Sequence, residues 1–201
     1  MIGIINYGCG NLGSIENMLD YLNIRNIIIN KPEDIERADK FILPGVGAFD
    51  YGINQLLTSG IKDSLSECVL VKKMPILGIC LGMQLLTNSS HEGNSIGLGW
   101  IDADTIRFEN HADYKIPHMG WNYVHDFKNE GIFEGFQEIP KFYFVHSYYV
   151  VCKKSENILC QTSYINKFTS GIINQNIIGI QFHPEKSHKY GMQVFKNFNK
   201  L

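Results

Sequence analysis

Up to about residue 86, short apolar runs alternate with amphipathic stretches. Residues 2–6 read as a first strand, and a glycine-rich loop, Gly8-Cys9-Gly10-Asn11-Leu12-Gly13, follows. Ser14 is placed to cap a helix whose Ile15, Met18, Leu19 and Leu22 form an i, i+3, i+4, i+7 stripe. Residues 27–29 and 40–43 predict two more strands. Residues 49–59 and 61–73 predict helices, with Gly60 between them. Residues 75–79 are almost continuously apolar, as in a strand covered on both faces, and a helix over 81–86 follows at once. Strand–helix alternation of this kind predicts an α/β fold: a mostly parallel central sheet with helices on both faces.

From Leu98 the pattern changes. Short strand-like segments, rich in Tyr and Phe, run over 100–108, 121–125, 142–151, 158–164, 169–173 and 177–182. Only 190–199 returns to helical spacing, with Met192, Phe195 and Phe198 as its apolar positions. No linker, repeat or low-complexity stretch interrupts the chain. One domain over residues 1–201 with a strand-rich second half is the expectation.

Composition narrows the function classes. The 201 residues are 44% hydrophobic and 19% charged, with a net charge of −2. No basic stretch favours nucleic acid or an anionic membrane, and no apolar run reaches the ~18 residues of a membrane span. The first residues, Met1-Ile2-Gly3-Ile4-Ile5-Asn6-Tyr7, read as a strand and not as a signal peptide. Five irregularly spaced cysteines without Cys-x-x-Cys predict neither a disulfide framework nor a zinc site, so the cytoplasm is the expected compartment. No cofactor and no metal are expected. Gly8, Gly10 and Gly13 resemble a dinucleotide fingerprint, but Asn30 stands where an acidic residue would end the second strand.

Cys80 is the candidate nucleophile. It sits at a strand–helix junction between Gly78 and Gly82, in Gly-x-Cys-x-Gly. This is the cysteine counterpart of the Gly-x-Ser-x-Gly elbow. A thiol at a helix start faces unpaired backbone N–H groups, which favour the anionic sulfur. Cys68, Cys152 and Cys160 read as small buried hydrophobes. A cysteine nucleophile needs a base, and the base needs an orienting group. Among seven histidines, His183 follows the last strand directly, in Gln181-Phe182-His183-Pro184-Glu185. Continued extended backbone would put His183 and Glu185 on one side, letting the carboxylate fix the imidazole. His91, His111, His125 and His188 lie in polar loops or strand edges and read as solvated, whereas His118, in Pro117-His118-Met119-Gly120-Trp121-Asn122, and His146, in Val145-His146-Ser147-Tyr148, are less easily set aside. No histidine pair has metal-ligand spacing. For an acyl-transfer oxyanion, the Leu81 N–H follows from the elbow. The second donor is expected at Val46 or Gly47, in Pro44-Gly45-Val46-Gly47.

Together, Pro44–Gly47, Gly78-Ile79-Cys80-Leu81-Gly82-Met83-Gln84 and His183-Pro184-Glu185 resemble the class I (triad) glutamine amidotransferases. Pro117-His118-Met119-Gly120-Trp121-Asn122, Phe144-Val145-His146-Ser147-Tyr148 and Tyr7-Gly8-Cys9-Gly10-Asn11-Leu12 are similar, within that family, to glutaminase subunits of imidazole glycerol phosphate synthase. The resemblance implies hydrolysis of glutamine to glutamate and ammonia by Cys80, His183 and Glu185. It implies a glutamine pocket lined by Gly47, Gln84, Ser147 and Tyr148. It also implies a heterodimer with a (β/α)8-barrel synthase subunit that takes the ammonia, with Pro117, His118, Trp121 and Lys186 near the interface. Two positions depart from the usual pattern: Asn6 stands where aspartate is usual and Gly13 where arginine is common. These touch the choice of ammonia acceptor, since related glutaminases serve amidination of surface sugars. The readings from other classes are a papain-like protease and a non-catalytic regulatory subunit.

Overall fold

The chain begins with β1 (Ile2–Ile5), α1 (Leu12–Tyr21), β2 (Asn26–Ile29) and β3 (Lys40–Leu43). Then come α2 (Phe49–Thr58), α3 (Ile61–Ser66), β4 (Ile76–Ile79), α4 (Leu81–Leu85) and a two-residue β5 (Ser89–Ser90). The strand-rich half holds β6 (Ala103–Arg107), β7 (His118–Tyr123), β8 (Lys141–His146), β9 (Tyr148–Cys152), β10 (Ile158–Ser163), β11 (Lys167–Asn174) and β12 (Ile177–Ile180). The last helix is α5 (His188–Lys200). This computed structural model describes residues 1–127 and 129–201.

The main sheet is mixed, in the order β2-β1-β3-β4-β12-β11-β9-β6-β5, with β10 paired to β11 off this path. The strands β2, β1, β3, β4 and β12 run parallel. From β11 onward the pairing turns antiparallel, apart from the short β5–β6 pair. β7 and β8 form a separate antiparallel ribbon. In the parallel half, alternate residues supply two cores, one on each side of the sheet. Ile5, Leu43 and Ile76 enter the core that holds Phe49 and Leu56 of α2 and Leu65 of α3. Ile4, Ile42 and Leu77 enter the other, with Leu19 of α1 and Phe195 of α5.

Several boundaries differ from expectation for local reasons. Asn11, not Ser14, caps α1; its side chain accepts from the Ser14 amide at 3.2 Å. The helix expected over 61–73 stops at Ser66 and continues as a π-helical turn, Glu67–Val71. The single strand expected over 142–151 is two, β8 and β9, which belong to different sheets and part at Ser147. Residues 184–186 form a 3-10 turn in place of extended backbone. The register aligns Leu43 with Gly78 and Ile79 with Ile180. The C-terminal ends of β3, β4 and β12 therefore lie side by side at one edge of the sheet, where parallel α/β sheets place their sites.

Candidate active site

The elbow is formed. Cys80 has φ 54° and ψ −110°, a conformation a non-glycine residue holds only when its surroundings impose it. Its N–H donates to the Ile180 carbonyl at 2.8 Å, and its own carbonyl accepts from Gln84 N at 3.2 Å. The flanking glycines are steric requirements. A Cβ on Gly82 would lie 1.9 Å from the Leu43 carbonyl oxygen, and one on Gly78 would lie 2.8 Å from that of Gly82.

His183 is held at the end of β12. Its N–H donates to Tyr143 O at 2.9 Å, and its carbonyl accepts from Ser187 Oγ at 2.6 Å. The 3-10 turn brings Glu185 back, so that Glu185 Oε1 meets His183 Nδ1 at 2.7 Å with both side chains buried. His183 Nε2 and Glu185 Oε2 have no hydrogen-bond partner. Burial alone would depress the basicity of His183. The adjacent Cys80 thiol and the Glu185 carboxylate outweigh it and raise the imidazole well above an ordinary histidine. Cys80 and His183 face one cavity of about 280 Å³, lined also by Val46, Gly47, Leu81, Gln84, Glu92, Pro117, Val145, His146, Ser147 and Tyr148. A larger hollow, about 610 Å³, is bordered by Pro32, Glu36, Asp63 and Lys72 and contains none of these residues.

The oxyanion donors are arranged differently from expectation. The Leu81 N–H points at the Gly45 carbonyl, 3.3 Å away, and so is already engaged. In a trans peptide the Val46 N–H points opposite that carbonyl, away from Leu81. The two-donor hole expected from Leu81 with Val46 or Gly47 is thus closed in this structure. Gly45 permits the close approach, since a Cβ there would sit 2.7 Å from Leu81 Cβ and from the Tyr7 hydroxyl oxygen. That hydroxyl donates to the Pro44 carbonyl and anchors the loop on β1.

The substrate-pocket expectations Gly47, Gln84, Ser147 and Tyr148 all line the cavity. Glu92 and His146 line it too and were missing from the expected site; Glu92 lies in a polar loop with no local signature. Its Oε2 accepts from Phe49 N at 2.8 Å, at the start of α2. Both amide hydrogens of Gln84 are spent, on Gln181 Oε1 at 3.1 Å and Tyr148 O at 3.4 Å. His118, expected near a partner interface, is only 3% exposed and stacks between Phe144 and Tyr164, so its side chain is covered by the chain itself. It belongs to a directed chain. His146 Nδ1 donates to Tyr148 O at 2.7 Å, so His146 Nε2 accepts from His118 Nδ1 at 2.9 Å, and His118 Nε2 accepts from Asn122 Nδ2 at 3.2 Å. Burial lowers His118 to about 4 and, with its neighbour His118, lowers His146 to about 3, so both rings are neutral. Trp121 is 41% exposed and stacks on His188 at 5.3 Å, Lys186 is exposed, and Pro117 borders the cavity. Among the described residues, no group of three or more His, Cys, Asp or Glu is placed to hold a metal ion. No helix in them is long and apolar enough to cross a membrane.

A sequence model of the class-I glutamine amidotransferases matches residues 4–201. The chain belongs to the class I glutamine amidotransferase family. Among curated members of this amidotransferase family, it is 53% identical to imidazole glycerol phosphate synthase subunit HisH 2 of Methanococcus maripaludis, over 100% of this chain and 99% of that protein. It is 51% identical to the subunit HisH 2 of Pseudomonas aeruginosa, over the full length of both. The fold matches solved structures at low identity. One is that of PurLQS from Thermotoga maritima, with a TM-score of 0.76 at 18% identity, covering 99% of this chain and 97% of that one. Another is a glutamine amidotransferase from the same organism, with a TM-score of 0.65 at 20% identity, covering 97% of this chain and 81% of that one.

Proposed function

We propose that this amidotransferase is the glutaminase subunit of an imidazole glycerol phosphate synthase, serving histidine biosynthesis. The observation that carries the chemistry is the elbow Cys80 facing a cavity beside a histidine whose far nitrogen is held by a buried glutamate. Cys80 Sγ attacks the side-chain amide carbon of glutamine, forming the C–S bond. His183 Nε2–H delivers its proton to the departing nitrogen, and ammonia leaves. Water then attacks the thioester, passing a proton back to His183 Nε2. The C–S bond breaks with its electron pair returning to sulfur, and glutamate is released. Glu185 keeps Nδ1 protonated, so that Nε2 is the nitrogen that exchanges protons.

Gly47, Ser147 and Tyr148 border the substrate. Gln84 offers its free Oε1, and Glu92 offers a carboxylate suited to the α-ammonium of glutamine. The oxyanion site forms when the Gly45–Val46 peptide rotates. That frees the Leu81 N–H and turns the Val46 N–H inward, and it makes catalysis conditional on an activating event. The partner is a (β/α)8-barrel synthase subunit, joined as a heterodimer. Met119, Trp121 and Tyr123 project from one side of β7 and are exposed, as the docking face of such a partner requires. Pro117 and Lys186 flank that face. The chain acts as one cytoplasmic catalytic domain without a cofactor.

A second reading keeps the glutaminase step but delivers ammonia to a surface sugar. It is favoured by Asn6 and Gly13, the two departures in the β1 region. Glutamate formation by the chain with its co-purified partner, measured with and without the ribonucleotide precursor of imidazole glycerol phosphate, tests the choice. Stimulation by the precursor is expected. Turnover indifferent to it assigns the other acceptor.

A further inference from the structure

Gln181 is a fully buried amide next to the nucleophile, and the reaction as written gives it no role. It leaves β12 at the sheet edge where Cys80 leaves β4, with its own N–H donated to Ser170 O at 2.9 Å. Its side-chain Nε2 lies 3.6 Å from Cys80 Sγ. Its Oε1 lies 3.1 Å from Gln84 Nε2, which is in turn 3.4 Å from Tyr148 O.

The direction of this chain is set at its far end. The Tyr148 carbonyl can only accept, so the group facing it on Gln84 is the NH₂. The same NH₂ faces Gln181, which must answer with its carbonyl oxygen. That leaves the Gln181 NH₂ facing sulfur. Flipping Gln181 alone would set two NH₂ groups against each other. Flipping both amides would set the Gln84 oxygen against the Tyr148 carbonyl. Only one arrangement satisfies all three contacts, and in it a buried N–H points at Sγ.

We propose that Gln181 is a further catalytic residue of the glutaminase reaction, donating a hydrogen bond to Cys80 Sγ whenever the sulfur carries negative charge. Two stages meet that condition: the deprotonated sulfur that attacks, and the sulfur leaving when the thioester is hydrolysed. A donor there favours the anion in the first stage and eases C–S cleavage in the second. In the attack itself charge leaves the sulfur for the oxyanion, so the donor gives little help. Hydrolysis of the thioester is therefore the step most sensitive to its loss. The second stage rests on the glutaminase reading; the first does not.

The test is labelling of Cys80 by iodoacetamide between about pH 5 and 9 without glutamine, located by peptide mapping. Burial raises the other four thiols, Cys152 up to about 11 and Cys160 up to about 12, with Cys9 and Cys68 moved the same way, and the peptide map separates their adducts from that of Cys80. In Gln181→Met, which keeps the shape and loses the donor, half-maximal labelling moves up by about one pH unit, the worth of a charge-assisted hydrogen bond. In Gln181→Glu, which sets an oxygen against the sulfur, it moves further. Under turnover, Gln181→Met accumulates glutamyl-enzyme by intact mass, and kcat falls roughly tenfold while KM changes little. Should Gln181→Met fail to fold, Gln84→Met releases the lock on the Gln181 amide and shifts labelling in the same direction by less. Labelling profiles that coincide with wild type, or a loss confined to KM, overturn the proposal and leave Gln181 a packing residue. If wild type, assayed together with its co-purified partner and the ribonucleotide precursor, makes no glutamate while the labelling shift is present, the glutaminase reading fails and the donor to sulfur stands.

Discussion

His183 and Glu185 act as one unit, because each leaves the other's inner atom satisfied and its outer atom orphaned. Glu185→Gln keeps the shape but lets the amide NH₂ face Nδ1, which favours the wrong tautomer. Glutamate formation is expected to fall by about 10²–10⁴-fold in kcat with the fold unchanged; steady-state kinetics beside circular dichroism checks this. The buried pair His118 and His146 sets an acid limit instead. Both are lowered from 6.5, to about 4 and about 3. As pH falls below 6.5 the unfolded chain takes up protons that the folded chain refuses, so stability drops toward pH 4. Each ring contributes up to about 1.4 kcal/mol per pH unit. Urea unfolding at stepped pH should show this slope, and His146→Asn, though weaker at neutral pH, should show a shallower one. The identities at this scale were readable where the chemistry demands a fixed spacing, as in Gly-x-Cys-x-Gly and His-Pro-Glu. Glu92 was not readable as a site residue because the cavity draws it from a loop far from the triad in sequence, and Gln181 was not because its contact with Cys80 arises only from the pairing of β12 with β4. The resemblance puts His118 and Trp121 together near an interface; three residues apart on one strand, they face opposite sides, His118 buried and Trp121 exposed.

At the scale of elements, the elbow depends on α4 lying against β3 without side chains between them. Gly82→Ala drives a methyl into the Leu43 carbonyl. It should cost about 1–3 kcal/mol in thermal or chemical unfolding and should reduce Cys80 labelling, since α4 must retreat and carry the elbow with it. Unchanged stability and labelling would show that the glycine contact is dispensable. The parallel strands β1, β3 and β4 were legible because both faces are buried and their sequences are continuously apolar. The break between β8 and β9 was not, since the apolar pattern runs through Ser147 and only long-range pairing, β8 with β7 and β9 with β6, divides it. That break is what turns Ser147 and Tyr148 toward the cavity. The π-helical turn after α3 is likewise set by tertiary contacts, with Cys68 and Val69 buried in the core under β4.

For the whole molecule, the closed peptide at Gly45 and the exposed side of β7 describe a subunit built to work with a partner. Trp121→Ala should weaken association with the proposed partner subunit by about tenfold or more, as hot-spot aromatics do, while Cys80 labelling in the free chain stays as in wild type. Equal loss of both would place Trp121 in the support of the site and not at the interface. The α/β architecture was legible from strand–helix alternation, but the mixed sheet was not, because antiparallel continuation from β11 to β6 leaves no local mark. The acceptor of the ammonia lies outside this chain altogether, so no residue pattern here encodes it directly. The central claim is that Cys80 attacks the glutamine side chain. It is tested most directly by treating the chain and its partner with a diazoketone analogue of glutamine and mapping the adduct. A single adduct on Cys80, prevented by excess glutamine and accompanied by loss of glutamate formation, is the expected result. Glutamate formation that persists with Cys80 modified, or in Cys80→Ala, would contradict it.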